Sequence, residues 1–172
     1  MNTDILTVAA DGLICSANPS LNLSGGVGGA FLLRYGSEMQ VFLHDHLRRT
    51  GLRFIEPGNA IVAPSCGSPF IAVSHAVAID AFYDTNADLI RQAYEVSLNQ
   101  LAGANCRTIV AACLGCGYGR CSIPEFVKTI QELIELPFPD INIVTLATTN
   151  LELADAIATI TGVARTSLGM PG

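Results

Sequence analysis

The chain has 172 residues, of which 50% are hydrophobic and 14% charged, so it has enough apolar surface for one compact core and is not a disordered segment. Its net charge is −6 and its nine Lys and Arg residues are scattered, which argues against a DNA or RNA polymer as partner. Every apolar run is interrupted before the ~20 residues that span a bilayer, and MNTDIL lacks the basic start and apolar stretch of a secretory signal. The sequence therefore predicts a cytoplasmic protein with no membrane segment and with reduced cysteines.

The first half of the chain predicts a strand, a loop, two helices and two further strands. The segment DGLICSA is typical of a short buried strand, and apolar residues recur at helical spacing after Gly36 until Gly51 ends the pattern. Pro64, Gly67 and Pro69 separate two apolar runs that predict strands joined by a tight connection. In chain order the predicted elements are a strand at 11–17, a loop from Asn18 to Gly26, a helix from Val27 towards Gly36, a helix from Glu38 to Arg49, and strands at 60–63 and 70–79. In the second helix, Met39, Phe42, Leu43 and Leu47 recur at helical spacing.

The second half predicts further alternation of helices and strands. Thr85, with Asp88 three residues on, predicts the start of a helix, and Ser122 with Glu125 forms a capping box for the next one. The continuous apolar run RTIVAAC is expected for a strand that is covered on both faces. The predicted elements are a helix from Thr85 to Gly103 with Ile90, Tyr94, Ser97, Leu98 and Leu101 on one face, a strand at 107–113, a helix from about Ile123 with Phe126, Ile130, Leu133 and Ile134 on its apolar face, a strand at 141–147, and a helix from about Leu151 to Ile160 that is capped by Thr149 or Asn150 and stopped at Gly162.

This alternation predicts an α/β protein, a three-layer α/β/α sandwich with a mixed, largely parallel central sheet. The predicted single domain covers residues 1–164, and residues 165–172 form a C-terminal tail. In such folds ligands bind outside the carboxyl ends of the strands. Two glycine-rich loops are predicted to lie at that edge of the sheet.

The two loops indicate a site for a small anion such as a diphosphate. The loop at 24–29 (SGGVGG) and the loop at 114–119 (LGCGYG) each follow a predicted strand and precede a helix, where unpaired N–H groups and the helix dipole attract negative charge. The alternative is that glycine only makes the tight turns. A Walker motif is absent, and the dinucleotide fingerprint fails because Phe31 stands where a third glycine should follow Gly26 and Gly28.

Several segments together resemble a macro domain. The opening of that family is matched by Asp4-Ile5, the strand GLICSAN at 12–18, Leu21 and Gly25-Gly26-Val27. The similarity continues in GNAIVAP at 58–64, SHAV at 74–77 and the loop at 114–119. It spans nearly the whole chain, so the resemblance implies the macro-domain fold.

Macro domains bind ADP-ribose, and the resemblance implies a role for each matched residue. Asp4 would contact the adenine amino group, Ile5 would lie beside the adenine ring, and Asn18 would hold the distal ribose. The residues implied to wrap the diphosphate and distal ribose are Gly25, Gly26, Val27, Gly115, Cys116, Gly117 and Tyr118. The implied ligand is free or protein-linked ADP-ribose, with no cofactor and no metal. Only three residues precede Asp4, which predicts a shortened leading strand and a less complete adenine end.

Two departures from the family pattern bear on catalysis. Cys15 replaces the first asparagine usual in the strand motif, and Gly28 stands where hydrolytic members that use an acid after Gly-Gly-Val carry Asp. The first hypothesis is therefore a module that only binds ADP-ribose. The second is a metal-independent hydrolase that removes ADP-ribose from a protein or deacetylates O-acetyl-ADP-ribose, with a water held near Asn18.

A third hypothesis comes from the cysteines. Cys113, Cys116 and Cys121 form a CxxC with a third cysteine close by, which would suit a thiol redox pair or part of a metal site. A tetrahedral site needs a fourth ligand, and the local sequence supplies none. Asn18 and Asp4 also have simpler alternatives, since Asn18 starts an Asn-Pro turn and Asp4 could belong to a frayed terminus.

The three histidines are predicted to have no chemical role. His44 and His46 are two residues apart on a helix, so their side chains diverge by roughly 200° and cannot easily share a metal. His75 lies in an apolar strand, which predicts a hydrogen-bonded histidine in the core.

Overall fold

The computed structural model describes residues 1–161 of the chain. The predicted helix stop at Gly162 and the predicted tail at 165–172 lie outside these residues. Within them, the chain forms a five-stranded sheet with helices packed on both faces. The elements are β1 (Gly12–Ser16), α1 (Gly26–Tyr35), α2 (Glu38–Thr50), β2 (Asn59–Pro64), β3 (Ala72–Val77), α3 (Ala87–Gly103), β4 (Thr108–Ala112), α4 (Ile123–Ile134), β5 (Ile143–Ala147) and α5 (Leu151–Thr161), with a short 3-10 helix at Ile5–Thr7 before β1.

The strand order in the sheet is β2-β3-β1-β4-β5. Strands β3, β1, β4 and β5 are parallel, and the edge strand β2 is antiparallel to β3. Only a short connection joins β2 to β3, which permits an antiparallel pair, whereas the parallel pairs are joined by helical crossovers. The predicted mixed, largely parallel sheet is confirmed.

Two hydrophobic cores form because successive residues of the central strands point to opposite faces of the sheet. On β1, Leu13 and Cys15 pack beneath α1 and α2, whereas Ile14 packs beneath α3 and α4. All three side chains are fully buried. The central strands therefore read as continuous apolar runs, as expected for strands covered on both faces.

Two details of the helices differ from the sequence prediction. The helix α3 is capped by Asn86, whose side chain accepts a hydrogen bond from the Leu89 N–H, while the Thr85 hydroxyl donates to the Ala78 carbonyl. In α4, Ile134 is 59% exposed although it was expected on the apolar face. It is the last residue of the helix and lies about 100° round from the buried Leu133, so it falls outside the buried stripe.

The sheet brings four loops to one edge. The parallel strands β1, β3, β4 and β5 all end there, and the segments that follow them are 17–25, 78–86, 113–122 and 148–150. The N-terminal segment reaches the same edge, because Asn2 forms a parallel bridge with Thr148 after β5. Across residues 1–161, the longest helices are too short or too polar to cross a membrane.

Candidate functional site

A cleft of about 650 Å³ lies at the carboxyl ends of the parallel strands. All ten predicted ligand contacts line it, namely Asp4, Ile5, Asn18, Gly25, Gly26, Val27, Gly115, Cys116, Gly117 and Tyr118. Asp4 is the one acidic residue of the described chain that lines the cleft, and none of its described lining residues is Lys, Arg or His. An anion in this cleft would therefore have to be held by backbone and neutral side-chain groups.

The first loop presents free N–H groups because it ends at a helix start that lacks a side-chain cap. The N-cap of α1 is Gly25, which has no side chain to cap the helix. The first N–H that bonds within this turn is that of Gly29, which donates to the Gly25 carbonyl. The N–H groups of Gly26, Val27 and Gly28 thus have no acceptor within the helix. Together with the positive end of the helix dipole they form a site for an anion.

Two positions of this loop carry glycine for different structural reasons. Gly26 has φ +53°, in the left-handed region that strains other side chains, and a Cβ there would meet no atom within 4 Å. Gly28 is buried, and a Cβ there would lie 3.1 Å from Leu23 Cδ2. A side chain at position 28 would therefore require the Leu23 side chain to shift by a few tenths of an ångström.

The second loop is folded tightly on itself. Gly115 has φ +76°, and its carbonyl accepts a hydrogen bond from the Cys121 N–H at 3.3 Å. A Cβ on Gly119 would come 2.5 Å from that same carbonyl oxygen, so only glycine fits this close approach. The start of the loop is fixed from below by Tyr94 of α3, whose hydroxyl donates to the Ala112 carbonyl at 2.6 Å and accepts from the Leu114 N–H at 3.2 Å.

Tyr118 joins the two loops across the cleft. Its ring stands over Gly25, because a Cβ on Gly25 would be 2.9 Å from the Tyr118 hydroxyl oxygen. The side chain is 70% exposed, so Tyr118 forms a wall of the cleft and is not part of the core. A side chain at position 25 would therefore push the Tyr118 ring away from the first loop.

Asn18 is a turn residue as well as part of the cleft wall. Its Nδ2 donates to the Asn22 carbonyl at 2.8 Å, and its Oδ1 accepts from the Asn22 N–H at 3.1 Å. The turn alternative from the sequence is thus realised, and it fixes the loop between Asn18 and Asn22. The Nδ2 and the Oδ1 of Asn18 each retain a second hydrogen-bonding position that can face the cleft.

Asp4 is held in place by two interactions. Its Oδ1 accepts the Leu6 N–H at 3.0 Å as the cap of the 3-10 helix, and its Oδ2 pairs with the Arg34 guanidinium at 3.3 Å. The alternative that Asp4 belongs to a frayed terminus is wrong, because Thr3 also donates its N–H to the Thr148 carbonyl. Ile5 beside it is buried and faces the cleft.

Several cleft residues had no distinct signal in the sequence. Tyr83 lines the cleft from the turn after β3 and has φ +66°, which is uncommon for a residue other than glycine. Its ring centroid is 6.2 Å from that of Tyr118. Thr148, Thr149 and Asn150, which follow β5, line the opposite side. The exposed aromatic pair Phe82-Tyr83 between β3 and α3 was the available clue.

The turn that carries Tyr83 is built around Asp80. The Asp80 Oδ1 accepts the N–H groups of Phe82 at 2.8 Å and Asp84 at 2.9 Å, and the Asp80 N–H donates to the Asp84 carbonyl. Arg120 pairs with the Asp84 carboxylate at 3.1 Å, which ties this turn to the second glycine loop. Tyr83 and Tyr118 are thereby held on the same side of the cleft.

The cysteines near the cleft have the properties of neutral thiols. Burial raises the pKa of Cys113 to about 12 and that of Cys121 to about 11, and it raises the pKa of Cys116 still further. A thiol with a raised pKa carries little thiolate at pH 7 and is a poor nucleophile and metal ligand. Among residues 1–161, no cluster of three Cys, His, Asp or Glu side chains is arranged to hold a metal ion.

His75 corrects the expectation of a hydrogen-bonded core histidine. It is fully buried in β3, but neither of its ring nitrogens has a hydrogen-bond partner. Burial lowers the pKa of His75 to about 4, so the imidazole is neutral at pH 7. His75 faces the core beneath α1 and α2, away from the cleft lining.

Comparisons with known proteins agree on one family. A family model described as Macro domain matches residues 14–130. The O-acetyl-ADP-ribose deacetylase of Citrobacter rodentium (strain ICC168) is 33% identical over 137 residues, which cover 76% of each chain. A variant of the Oceanobacillus iheyensis macrodomain with ADPR has a TM-score of 0.82 at 16% identity, over 93% of this chain and 89% of that chain. The Trypanosoma brucei macrodomain in complex with ADP-ribose has a TM-score of 0.73 at 18% identity, over 92% of this chain and 66% of that chain.

Proposed function

This chain belongs to the macro domain family, and on that basis we propose that it binds ADP-ribose, free or linked to a protein, in the cleft at the carboxyl ends of the sheet. The observation that carries the proposal is the pairing of the two glycine loops. The helix start with its unpaired N–H groups and the backbone of Gly115 to Gly117 line one cleft, and Tyr118 bridges the two loops. A diphosphate fits such a cradle because backbone N–H groups can bind it without a lysine.

The adenine end of the ligand is assigned to Asp4 and Ile5. One oxygen of the Asp4 carboxylate is used by the Leu6 N–H and the other by Arg34, but each oxygen has a second lone pair. An adenine amino group can therefore still donate to Asp4 while the ring lies on Ile5. The remaining contacts follow from this orientation, with the distal ribose at Asn18 and Tyr118.

The first experiment is a calorimetric titration of the protein with ADP-ribose, run beside AMP and ADP. Micromolar binding that strongly prefers ADP-ribose is the expected result, because only that ligand fills the adenine, diphosphate and distal ribose positions together. Equal affinity for ADP would show that the distal ribose makes no favourable contact in the site. A lack of heat with all three ligands would refute the proposal.

A second candidate function is hydrolysis of O-acetyl-ADP-ribose or of an ADP-ribosyl protein. It is favoured by the 33% identity to a protein named O-acetyl-ADP-ribose deacetylase. Asn18 is the candidate to hold the attacking water, because its amide lines the cleft and keeps free hydrogen-bonding positions. The glycine at position 28 argues against it, since this position supplies no carboxylate to activate a water.

The two candidates are separated by assaying acetate release from O-acetyl-ADP-ribose. A module that only binds releases none above the buffer rate. If acetate is released, Asn18→Ala should abolish the release while ADP-ribose binding falls less. Equal loss of both would assign Asn18 to binding alone.

A further inference from the structure

A second cleft of about 450 Å³ adjoins the ADP-ribose cleft. We name it the basic cleft, and it is lined by Ser20, Asn22, His44, Leu47, Arg48, Leu52 and Arg53. It lies between the loop that follows β1 and the end of α2. Asn22 lines both clefts, so the two are neighbours across one residue.

Hydrogen bonds connect the basic cleft to the Asn18 end of the ADP-ribose cleft. The Nδ2 and the Oδ1 of Asn18 both bond to the Asn22 backbone, and the Asn22 side-chain oxygen lies 2.9 Å from His44 Nε2. Asn18, Asn22 and His44 thus form one hydrogen-bonded chain from the ADP-ribose cleft to the basic cleft. A group attached to a ligand at Asn18 would meet the basic cleft next.

The charge of the basic cleft is opposite to that of the whole protein. Two of its lining residues, Arg48 and Arg53, are arginines and none is acidic, whereas the chain has a net charge of −6. Arg48 is paired with Asp45 on the same helix, and its position in the last turn of α2 also suits the helix dipole. Arg53 lies beyond the helix end at Gly51, and in residues 1–161 it has no ion-pair partner.

We propose that the basic cleft binds an acidic side chain of the protein to which ADP-ribose is attached. The inference rests on the proposed function, because it places the distal ribose, through which a protein is linked, at Asn18. The exposed guanidinium of Arg53 and that of Arg48 supply the donors for a carboxylate. Leu47 and the half-exposed Leu52 supply apolar surface for the methylene groups of a glutamate.

An acidic peptide fits better than a nucleotide polymer. The basic cleft has two arginines and one histidine, which match one or two carboxylates. A polymer with several phosphates would extend past the cleft over a surface that is negative overall, and the net charge of −6 would repel it. The subsite would therefore select the acceptor protein and leave the affinity for free ADP-ribose unchanged.

The test compares two synthetic peptides that carry ADP-ribose on the same serine, one flanked by glutamates and the other by glutamines. Wild-type protein should bind the glutamate peptide roughly 3- to 10-fold more tightly at low salt, since two exposed ion pairs have about that combined effect. The preference should shrink as salt is raised, because exposed charges are screened. Arg48→Glu/Arg53→Glu should remove it, and Arg53→Gln should remove part of it.

The matched control is Arg49→Glu/Lys128→Glu, which changes the net charge by the same amount outside the basic cleft. This control should retain the preference for the glutamate peptide. Free ADP-ribose should bind the wild type and both double variants alike. Absence of this binding in the wild type would refute the proposed function, whereas its loss in Arg48→Glu/Arg53→Glu alone would overturn the separate subsite. Equal affinity of the wild type for the two peptides, or tighter binding of an ADP-ribose oligomer than of the glutamate peptide, would overturn the inference.

Discussion

Gly26 combines a left-handed backbone conformation with a position at the proposed diphosphate site. Replacement by Glu strains the backbone at φ +53° and puts a carboxylate where the diphosphate is proposed to lie. We expect Gly26→Glu to reduce ADP-ribose affinity by at least about 100-fold, because like charges at close range in a cleft cost several kcal/mol. Titration calorimetry measures the loss.

The control for this variant is Gly103→Glu. Gly103 lies at the end of α3, where a Cβ meets nothing within 4 Å and φ is not left-handed. The same change of residue and charge there should leave the affinity at the wild-type value. Retained affinity in Gly26→Glu would show that the diphosphate does not lie at the start of α1.

His75 predicts an acid-sensitive stability. Its pKa is lowered by burial to about 4 in the folded protein, against 6.5 for an accessible histidine, so the unfolded chain binds an extra proton between these values. The contribution of His75 to the free energy of unfolding is therefore fully present above pH 6.5 and is lost as pH falls from there towards 4. The free energy of unfolding should drop by about 2 kcal/mol between pH 7.5 and pH 5.

Urea unfolding of His75→Met tests that origin. Methionine has nearly the same volume and removes two buried nitrogens that lack partners, so this variant should be about 1 kcal/mol more stable at pH 7.5. It should also lose the acid-dependent drop, whereas the control His46→Met should keep it. An equal drop in His75→Met and the wild type would assign the acid sensitivity to other groups.

At the residue scale, the sequence predicted the cleft from residues that match a family pattern or that a tight backbone conformation requires. Glycine at positions 25, 26, 115 and 117 signalled close approach, and Asn18 followed a strand. Tyr83 could not be found in this way, because its place in the cleft depends on a left-handed turn that nothing in the letters DAFYD requires. The unpaired nitrogens of His75 were equally hidden, since partners come from tertiary packing.

The turn between β3 and α3 should contribute to binding as a unit. Asp80→Ala removes the oxygen that accepts the Phe82 and Asp84 N–H groups, so Tyr83 should lose its fixed position beside Tyr118. We expect a several-fold loss of ADP-ribose affinity and a stability loss of about 1–2 kcal/mol. Asp80→Asn keeps the acceptor oxygen and should behave like the wild type. If both variants bind equally well, the turn is independent of the ligand.

The segment from Cys113 to Cys121 is expected to act through its backbone and not its thiols. Serine keeps the size of the side chain, so Cys113→Ser/Cys116→Ser should retain ADP-ribose affinity within about twofold, which is below 0.5 kcal/mol. Thiol titration and metal analysis of the purified wild type accompany the titration. A bound metal, or binding that is lost with the two thiols, would revive the redox or metal hypothesis.

At the element scale, the order and type of the helices and strands followed from apolar periodicity and caps. Ser122 caps α4 and Asn150 caps α5, as their positions before apolar runs indicate. The start of α3 was misplaced by one residue because Thr85 and Asn86 are both good caps, and Thr85 is drawn back to the Ala78 carbonyl. Such a choice depends on a contact with the preceding strand.

At the scale of the whole molecule, the fold class and the edge that carries the cleft were predictable, but the strand order was not. Alternating strands and helices imply ligands at the carboxyl ends of a parallel sheet whatever the order. The placement of β3 between β2 and β1 depends on long-range pairing, such as Cys15 beside His75, which leaves no periodic trace in the sequence. The order matters because it sets the turn with Tyr83 next to the loop with Asn18.

Ligand binding at this edge should stabilise the entire domain, because the cleft is assembled from segments that follow four strands. ADP-ribose at 100 times its dissociation constant should add about 2.7 kcal/mol to the free energy of unfolding. For a domain of this size that corresponds to a rise in Tm of about 5–10 °C in a thermal melt. AMP at the same concentration should give a smaller rise, and Gly26→Glu should show none with ADP-ribose while Gly103→Glu matches the wild type. An equal rise in Gly26→Glu would mean that ADP-ribose stabilises the protein from another site.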